Sequence, residues 1–344
     1  MIIKINKDII FNYKHSPIII SEISSNHGGS KQKFLRLIEK SFESGADLVK
    51  IQTYEPQDIT FKNPNSKIKE GLWKNKNLWE LYEKAHTPFE WHYDAFKIAK
   101  KKNKILFSTP FSIRSLNFLK QFKPQLYKIS SFEITDLNLV NEIAKTKKPV
   151  ILSSGASYMY EVEQAIKIIK KFHDKIILLH CVSKYPTDLK DANLGRLKYL
   201  KKKYKKTLIG LSDHTSDNKT SLCAASIGVV AIEKHVKLND KSVTEDSKFS
   251  ISLKNLEKLK EETKAIHFSL NNIDSKINDE KSRIYRRSIF ALKDIKRGEK
   301  INKKNIHTLR PMVGIPANKF FKIIGKKINT DLKKNDPIFL NMLK

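Results

Sequence analysis

Eight short apolar, β-rich runs alternate with amphipathic helical stretches along this chain, and that alternation limits the fold more than any other feature. The runs span residues 17–22, 48–52, 105–109, 126–131, 149–154, 176–182, 208–213 and 229–235. Helical patterns lie between them, at 31–44, 89–102, 113–122, 137–146, 160–172 and 218–227. Asp217 stands where the last of these takes an N-cap. Eight consecutive β/α units predict an α/β chain closed into a (β/α)8 TIM barrel. A doubly wound sheet is the alternative, but no Gly-rich phosphate turn follows the first run.

Two segments do not fit the repeat. Residues 53–87 are too long for a simple βα loop and carry Trp73, Trp79 and Tyr82, so they read either as a pocket-shaping loop or as a surface insertion. After a helical stretch at 253–270 the chain turns polar. The expected division is a barrel domain at 1–270, a linker at 271–284 and a compact module of short strands and turns at 285–344. That module is near the lower size limit for independent folding, so docking to another body is expected.

The formal net charge is +31, from 67 Lys and Arg against 36 Asp and Glu. The lysines are spread over the polar sides of helical patterns. No basic segment is interleaved with aromatics and no nucleic-acid-binding signature is present, so no nucleic-acid partner is expected. No apolar run reaches the ~18 residues of a membrane span, and the first residues lack a signal-peptide core. The two cysteines, Cys181 and Cys223, sit in apolar stretches and read as buried free thiols of a cytoplasmic protein.

In a parallel barrel the chemistry sits at the C-terminal ends of the strands. Those ends supply Glu22, Lys50, Gln52, Thr109, Lys128, Ser131, Glu133, Ser153, Ser183, Ser212, Asp213, His214 and His235. His214 and His235 close the last two runs, and neutral imidazoles brought to one mouth can bind a divalent metal. Their other reading is two hydrogen-bonded histidines at strand ends. Lys50 and Lys128 lie inside β-runs, where an ammonium is costly without an anionic partner. A phosphate held also by Ser131, Thr109 and Ser212 would satisfy both. A Lys–Glu pair with Glu133 or Glu22 is the plainer alternative. A Schiff-base aldolase, with one of these lysines neutral, is a third.

The same residues carry a resemblance. Ser21-Glu-Ile-Ser-Ser-Asn-His-Gly-Gly-Ser30, Val49-Lys-Ile-Gln-Thr53, Phe107-Ser-Thr-Pro-Phe111, Tyr127-Lys-Ile-Ser-Ser-Phe-Glu133, His180-Cys-Val-Ser-Lys-Tyr-Pro186, Gly210-Leu-Ser-Asp-His-Thr215 and Ile232-Glu-Lys-His235 resemble the sialic acid synthase family in order and spacing. The tail, with Leu309-Arg-Pro-Met-Val-Gly-Ile-Pro316, resembles the family's antifreeze-like (SAF, β-clip) domain. Residues 81–92 and 128–136 look most like the pseudaminic acid branch. Thr244-Glu245, Lys248 and Met312-Val313 depart from the family pattern; Gly-Pro is usual at the first of these.

The resemblance implies a metal-dependent condensation of phosphoenolpyruvate with an N-acetylated amino sugar. The products are a nine-carbon 2-keto-3-deoxy acid and phosphate. For the pseudaminic branch the sugar is 2,4-diacetamido-2,4,6-trideoxy-altrose; neuraminate and legionaminate precursors are the alternatives. Carried over by position, His214 and His235 would hold Mn or Mg. Lys50, Gln52, Thr109, Lys128, Ser131, Ser153, Ser183 and Ser212 would hold phosphoenolpyruvate. Glu22, Glu133, Tyr185 and Asp246 would sit by the sugar, metal or attacking water. Arg310 would reach the sugar from the tail of a second subunit in a domain-swapped homodimer. A non-enzymatic protein that binds anionic glycans or nucleic acid remains the reading from another class.

Overall fold

The computed structural model describes residues 1–271 and 279–344, which form two compact units, 1–272 and 273–344. In the first, a short hairpin, β1 (Ile3–Lys4) with β2 (Ile10–Phe11), precedes eight parallel strands: β3 (Ile18–Glu22), β4 (Leu48–Thr53), β5 (Ile105–Pro110), β6 (Tyr127–Ile129), β7 (Val150–Ser153), β8 (Ile176–Cys181), β9 (Leu208–Asp213) and β10 (Ala231–Lys237). Each strand pairs with the next in sequence, and β10 pairs with both β9 and β3, so the sheet closes on itself. A two-residue strand, β11 (Ile251–Ser252), adds to the end of β10. The closed barrel predicted from the alternation is therefore present.

Period two along each strand sorts the side chains into two cores. Ile19, Val49, Ile51, Leu106, Tyr127, Ile129, Leu152, Leu178, Ile209 and Ile232 face outward and pack under the helices. Ile18, Ile20, Leu48, Ile105, Phe107, Ile151, Ile177, Leu179 and Leu208 face inward and fill the barrel, where Ile3, Ile9 and Phe11 of the hairpin region join them. The interior is thus a packed apolar floor rather than a pore. Residues two further along the same inward rows form the layer above that floor.

The helices follow their sequence patterns within one or two residues and are capped by short polar side chains. Ser112 accepts from the Ser115 amide at 3.0 Å, and Asp136 from the Leu139 amide at 3.0 Å. The helix Lys219–Ile227 differs: Asn218 holds the cap position, and Asp217 accepts from the Lys219 amide at 3.0 Å. Asp217 thus satisfies a first-turn donor from outside the cap. In this helix Thr220, Ser221, Ala224 and Ala225 are buried, which turns Cys223 to the exposed face; only Cys181 is a buried thiol. Residues 53–87 contain helices Pro56–Ile59 and Leu78–Ala85.

In the second unit an antiparallel pair, β12 (Ser288–Ala291) and β13 (Ile306–Leu309), closes over Ile289, Ile295, Ile301, Ile315, Ile328 and Ile338. The polar stretch read as a linker falls partly on residues 272–278, outside the described residues, and Glu280–Tyr285 is a 3-10 helix. Among the described residues no helix is long and apolar enough to cross a membrane.

Gly210 shows how tightly the barrel interior is set. A Cβ there would lie 2.5 Å from Leu179 Cδ2 and 2.8 Å from the Ala231 carbonyl oxygen on the flanking strands. Overpacking of this kind costs about 1–3 kcal/mol. Gly210→Ala is expected to lower the urea unfolding midpoint accordingly; an unchanged midpoint would contradict this register.

Candidate functional site

The inward rows turn from apolar to polar at the C-terminal ends of the strands, and the register sets their polar members side by side. Glu22 pairs with Lys50 across β3–β4, Gln52 with Thr109 across β4–β5, and Cys181 with Ser212 across β8–β9. Ser212 then pairs with Glu233 across β9–β10, and His235 with Glu22 where the barrel closes. Lys128 and Ser153 stand at the corresponding ends of β6 and β7. One ring of strand ends therefore carries most of the residues expected there.

Two buried cations organise this ring. Lys50 is ion-paired with Glu22, lies 3.5 Å from Glu233 Oε1, and donates to Thr109 Oγ1 at 3.4 Å. The Lys–Glu alternative thus describes Lys50. Lys128 differs. It is 2% exposed and, among the described residues, its nearest carboxylate oxygen is Glu233 Oε1 at 4.0 Å and its ammonium donates only to the Ile129 carbonyl, at 3.2 Å. Burial therefore pulls the Lys128 pKa down, while Glu22 and Glu233 pull that of Lys50 up against the same burial. Burial raises the Glu22 carboxyl to about 6 in spite of Lys50. Burial also opposes ionisation of Glu233, but the two ammonium groups that it faces keep its pKa low. Glu233 is central to this layer and was not among the expected residues. Its signal was available, because it lies two residues before His235 on the same inward row.

Beside Lys128 the structure leaves a hydroxyl-lined cradle. A Cβ on Gly155 would fall 2.3 Å from Ser183 Oγ, 2.8 Å from Ser131 Oγ and 3.0 Å from Cys181 Sγ, so the missing side chain is what opens this space. The Gly155 amide donates to Ser131 Oγ at 3.1 Å. The hydroxyls of Ser153 and Ser183 are buried without a hydrogen-bond partner among the described residues. Unpaired buried hydroxyls are costly, and a bound anion would satisfy them. Ser212 does not share that freedom, because it donates to Glu233 at 3.1 Å. Gln52 donates to Ser24 Oγ at 2.9 Å, and Ser24 itself holds the left-handed conformation at φ 45°.

The histidines meet at the ends of β9 and β10. The rings of His214 and His235 are 5.3 Å apart, and both are buried. His214 Nδ1 lies 2.9 Å from the Val182 carbonyl, which can only accept, so Nδ1 carries a proton and Nε2 is the nitrogen left for a ligand. His235 Nδ1 has no hydrogen-bond partner among the described residues and lies 3.7 Å from Asp246 Oδ2. Burial and the facing His214 hold His235 well below the usual imidazole range, hence neutral. Cys181 Sγ is 3.8 Å from His214 Nδ1. Burial opposes charge on both groups, yet their mutual attraction lowers the thiol to about 7 and raises the imidazole.

This donor set fits a divalent metal. It offers two imidazole rings, His214 oriented by the Val182 carbonyl and His235 held neutral with its Nδ1 unpartnered among the described residues. Among the described residues no group of three or more His, Cys, Asp or Glu side chains is spaced to hold a metal. The two histidines would therefore leave most positions to water and substrate. Behind them Lys234 points outward, pairs with Asp213 at 2.8 Å and donates to the Thr215 carbonyl at 2.6 Å, which ties β9 and β10 together under the histidines.

The remaining expected residues divide between the units. Glu133, just past β6, has its pKa raised by burial to about 7, with Lys128 opposing that shift. Asp246 accepts from the Ser25 amide at 3.2 Å, and burial raises its pKa too. Tyr185 packs on His214 with ring centroids 4.4 Å apart. Arg310 is exposed and belongs to the second unit. There it lines a cavity of about 590 Å³ with Arg283, Arg286, Arg287 and Lys319.

Comparison with known proteins places this architecture. A model of the NeuB family matches residues 37–275, and one of the SAF domain matches 286–344. A pseudaminic acid synthase of Campylobacter jejuni is 38% identical over 95% of this chain and 97% of its own length. An N,N'-diacetyllegionaminic acid synthase of the same species is 32% identical over 93% and 98%. In three dimensions, an N-acetylneuraminic acid synthetase of Leptospira borgpetersenii superposes with a TM-score of 0.73 at 31% identity, covering 83% of this chain and 95% of the other. Matched over most of its length by relatives of this kind, the chain belongs to the NeuB family and ends in an SAF domain.

Proposed function

We propose that this chain is a pseudaminic acid synthase. It would condense phosphoenolpyruvate with 2,4-diacetamido-2,4,6-trideoxy-altrose and water, giving a nine-carbon 2-keto-3-deoxy acid and phosphate. The observation that carries this reading is the pairing in one ring of an under-neutralised Lys128 and its hydroxyl cradle with a facing pair of imidazoles. The choice of sugar is supported by the higher identity to the pseudaminic than to the legionaminic relative.

In this mechanism Lys128, Ser131, Ser153, Ser183 and the Gly155 cradle hold the phosphate, while Lys50, Thr109 and Gln52 hold the carboxylate end. Fixing both ends aims the enol carbon at the acceptor's aldehyde. His214 and His235 would hold Mn or Mg, which when bound supplies Lewis-acid polarisation of that aldehyde. The carbon–carbon bond forms as the enol π electrons attack the aldehyde carbon, and the aldehyde oxygen gains a proton. Water adds to the cationic phosphate-bearing carbon. Glu22, with its carboxyl raised to about 6, takes the water's proton at neutral pH. The carbon–oxygen bond to phosphate then breaks as the added hydroxyl passes its proton to the leaving group, which departs as hydrogen phosphate stabilised by Lys128 and leaves the keto group; the proton taken by Glu22 balances the one gained by the aldehyde oxygen. Glu133 and Asp246 bind acceptor hydroxyls, and Tyr185 covers the aldehyde end.

The working form is a homodimer in which Arg310 of one copy serves the barrel of the other. This is supported by an SAF unit whose Arg310 cavity is lined by five cations and by no acidic side chain among the described residues.

Phosphate release from phosphoenolpyruvate is expected only when the altrose derivative and a divalent metal are both present. EDTA is expected to abolish it, and His235→Ala to lower kcat by at least ~100-fold; full turnover in EDTA would remove the metal from the account. Offering the neuraminate and legionaminate precursors in parallel tests the choice of sugar, and faster turnover of either would replace it. For the dimer, Arg310→Ala and Lys128→Ala variants are each expected to be inactive. After unfolding and refolding together they should regain about a quarter of wild-type activity per copy, because one of the statistical pairings rebuilds an intact site. No regain would mean that Arg310 serves its own barrel or none.

A further inference from the structure

One aromatic cluster at the barrel mouth enters the reaction as described only through Tyr185. Trp73, from the segment between β4 and β5, lies 5.6 Å from the ring of Tyr185 and 6.0 Å from that of Phe249. Tyr185 and Phe249 are 5.0 Å apart; Tyr185 packs on His214 at 4.4 Å and Phe249 on His235 at 4.8 Å. The three aromatic rings therefore form one apolar wall that starts at the imidazole pair and ends at Trp73.

Trp73 is fixed there by a single residue. Its Nε1 donates to the Glu245 carbonyl at 3.2 Å, and the Glu245 carboxylate is clamped by Lys76 and Lys84, each at 2.6 Å. Glu245 thus ties the 53–87 segment to the barrel mouth. With Nε1 engaged, the indole has no free donor and offers only its apolar body.

We propose that Trp73 is a specificity-determining residue that receives the C6 methyl of a 6-deoxy acceptor, with Glu245 as its positioning residue. This rests on the synthase reading above. With its aldehyde at the imidazoles, an open-chain sugar extends five carbon–carbon bonds of about 1.5 Å each along the wall, which brings C6 toward Trp73. A methyl there buries apolar surface against the indole. A C6 hydroxyl would be desolvated against a face that cannot hydrogen-bond to it. Sites of this kind separate such acceptors by roughly 10- to 100-fold.

The test uses the full-length enzyme and a matched pair of acceptors, 2,4-diacetamido-2,4,6-trideoxy-altrose and its 6-hydroxy counterpart. The wild type is expected to prefer the 6-deoxy sugar by roughly 10- to 100-fold in kcat/KM. Trp73→Ala should collapse that ratio toward unity by losing kcat/KM for the 6-deoxy sugar, with KM for phosphoenolpyruvate unchanged. Trp73→Phe should keep most of the ratio, and Glu245→Gln should reduce it part of the way. An equal loss on both acceptors, or a parallel rise in KM for phosphoenolpyruvate, would overturn the assignment and make Trp73 a prop for the loop. A wild type that uses both acceptors equally would also overturn it. If the wild type turns over neither acceptor, the synthase reading itself fails.

Discussion

A buried ammonium needs a negative charge nearby, and Lys128 has only a distant share of one. Glu233 stands 4.0 Å from Lys128 and 3.5 Å from Lys50, while Glu22 is ion-paired with Lys50. Removing a charge from water costs several kcal/mol unless a partner compensates it closely. The fold keeps Lys128 in this position because β6 is locked between β5 and β7 and its inward row has no other exit. The unpartnered hydroxyls and the space at Gly155 lie on the same side of the ring. Cation, donors and the space at Gly155 together describe the shape of an anion.

The rest of the barrel serves that layer. The apolar floor beneath it keeps water from reaching Lys128 from below, and the N-terminal hairpin region packs Ile3, Ile9 and Phe11 into the same inner core. Closure of β10 onto β3 is what sets His235 beside Glu22 and so joins the histidine side to the lysine side. The outward Lys234–Asp213 pair holds the strands that carry both imidazoles. A register slip of one residue in β10 would exchange Lys234 for Glu233 and His235 inside the barrel and dismantle the site.

Much of this was legible in the chain, and the reason is periodicity. Eight apolar runs separated by helix-length patterns leave few closed topologies, and polar residues at their ends have one mouth to face. Glu233 is marked not by the end of its run but by the inward row, two residues before His235, and Cys181 joins the ring by the same rule. Cys223 faces out because apolar neighbours on a helix do not place a residue on the buried face, and the cap falls on Asn218, one residue after Asp217. The path of the 53–87 segment depends on long-range contacts to Glu245, which no local pattern encodes. Lys50 is the instructive case: its pairing with Glu22 comes from register between strands well apart in sequence.

The central claim is that Lys128 and the space at Gly155 form the phosphate half of a phosphoenolpyruvate site. Calorimetric titration of phosphoenolpyruvate into the metal-loaded protein without acceptor tests it most directly. The account predicts one site per chain, at least a hundredfold weaker in Lys128→Met and at least tenfold weaker in Gly155→Ala, a change that meets only hydroxyl and thiol side-chain ends and leaves the unfolding midpoint near wild type. Unchanged affinity in both variants, with both folded, would contradict it.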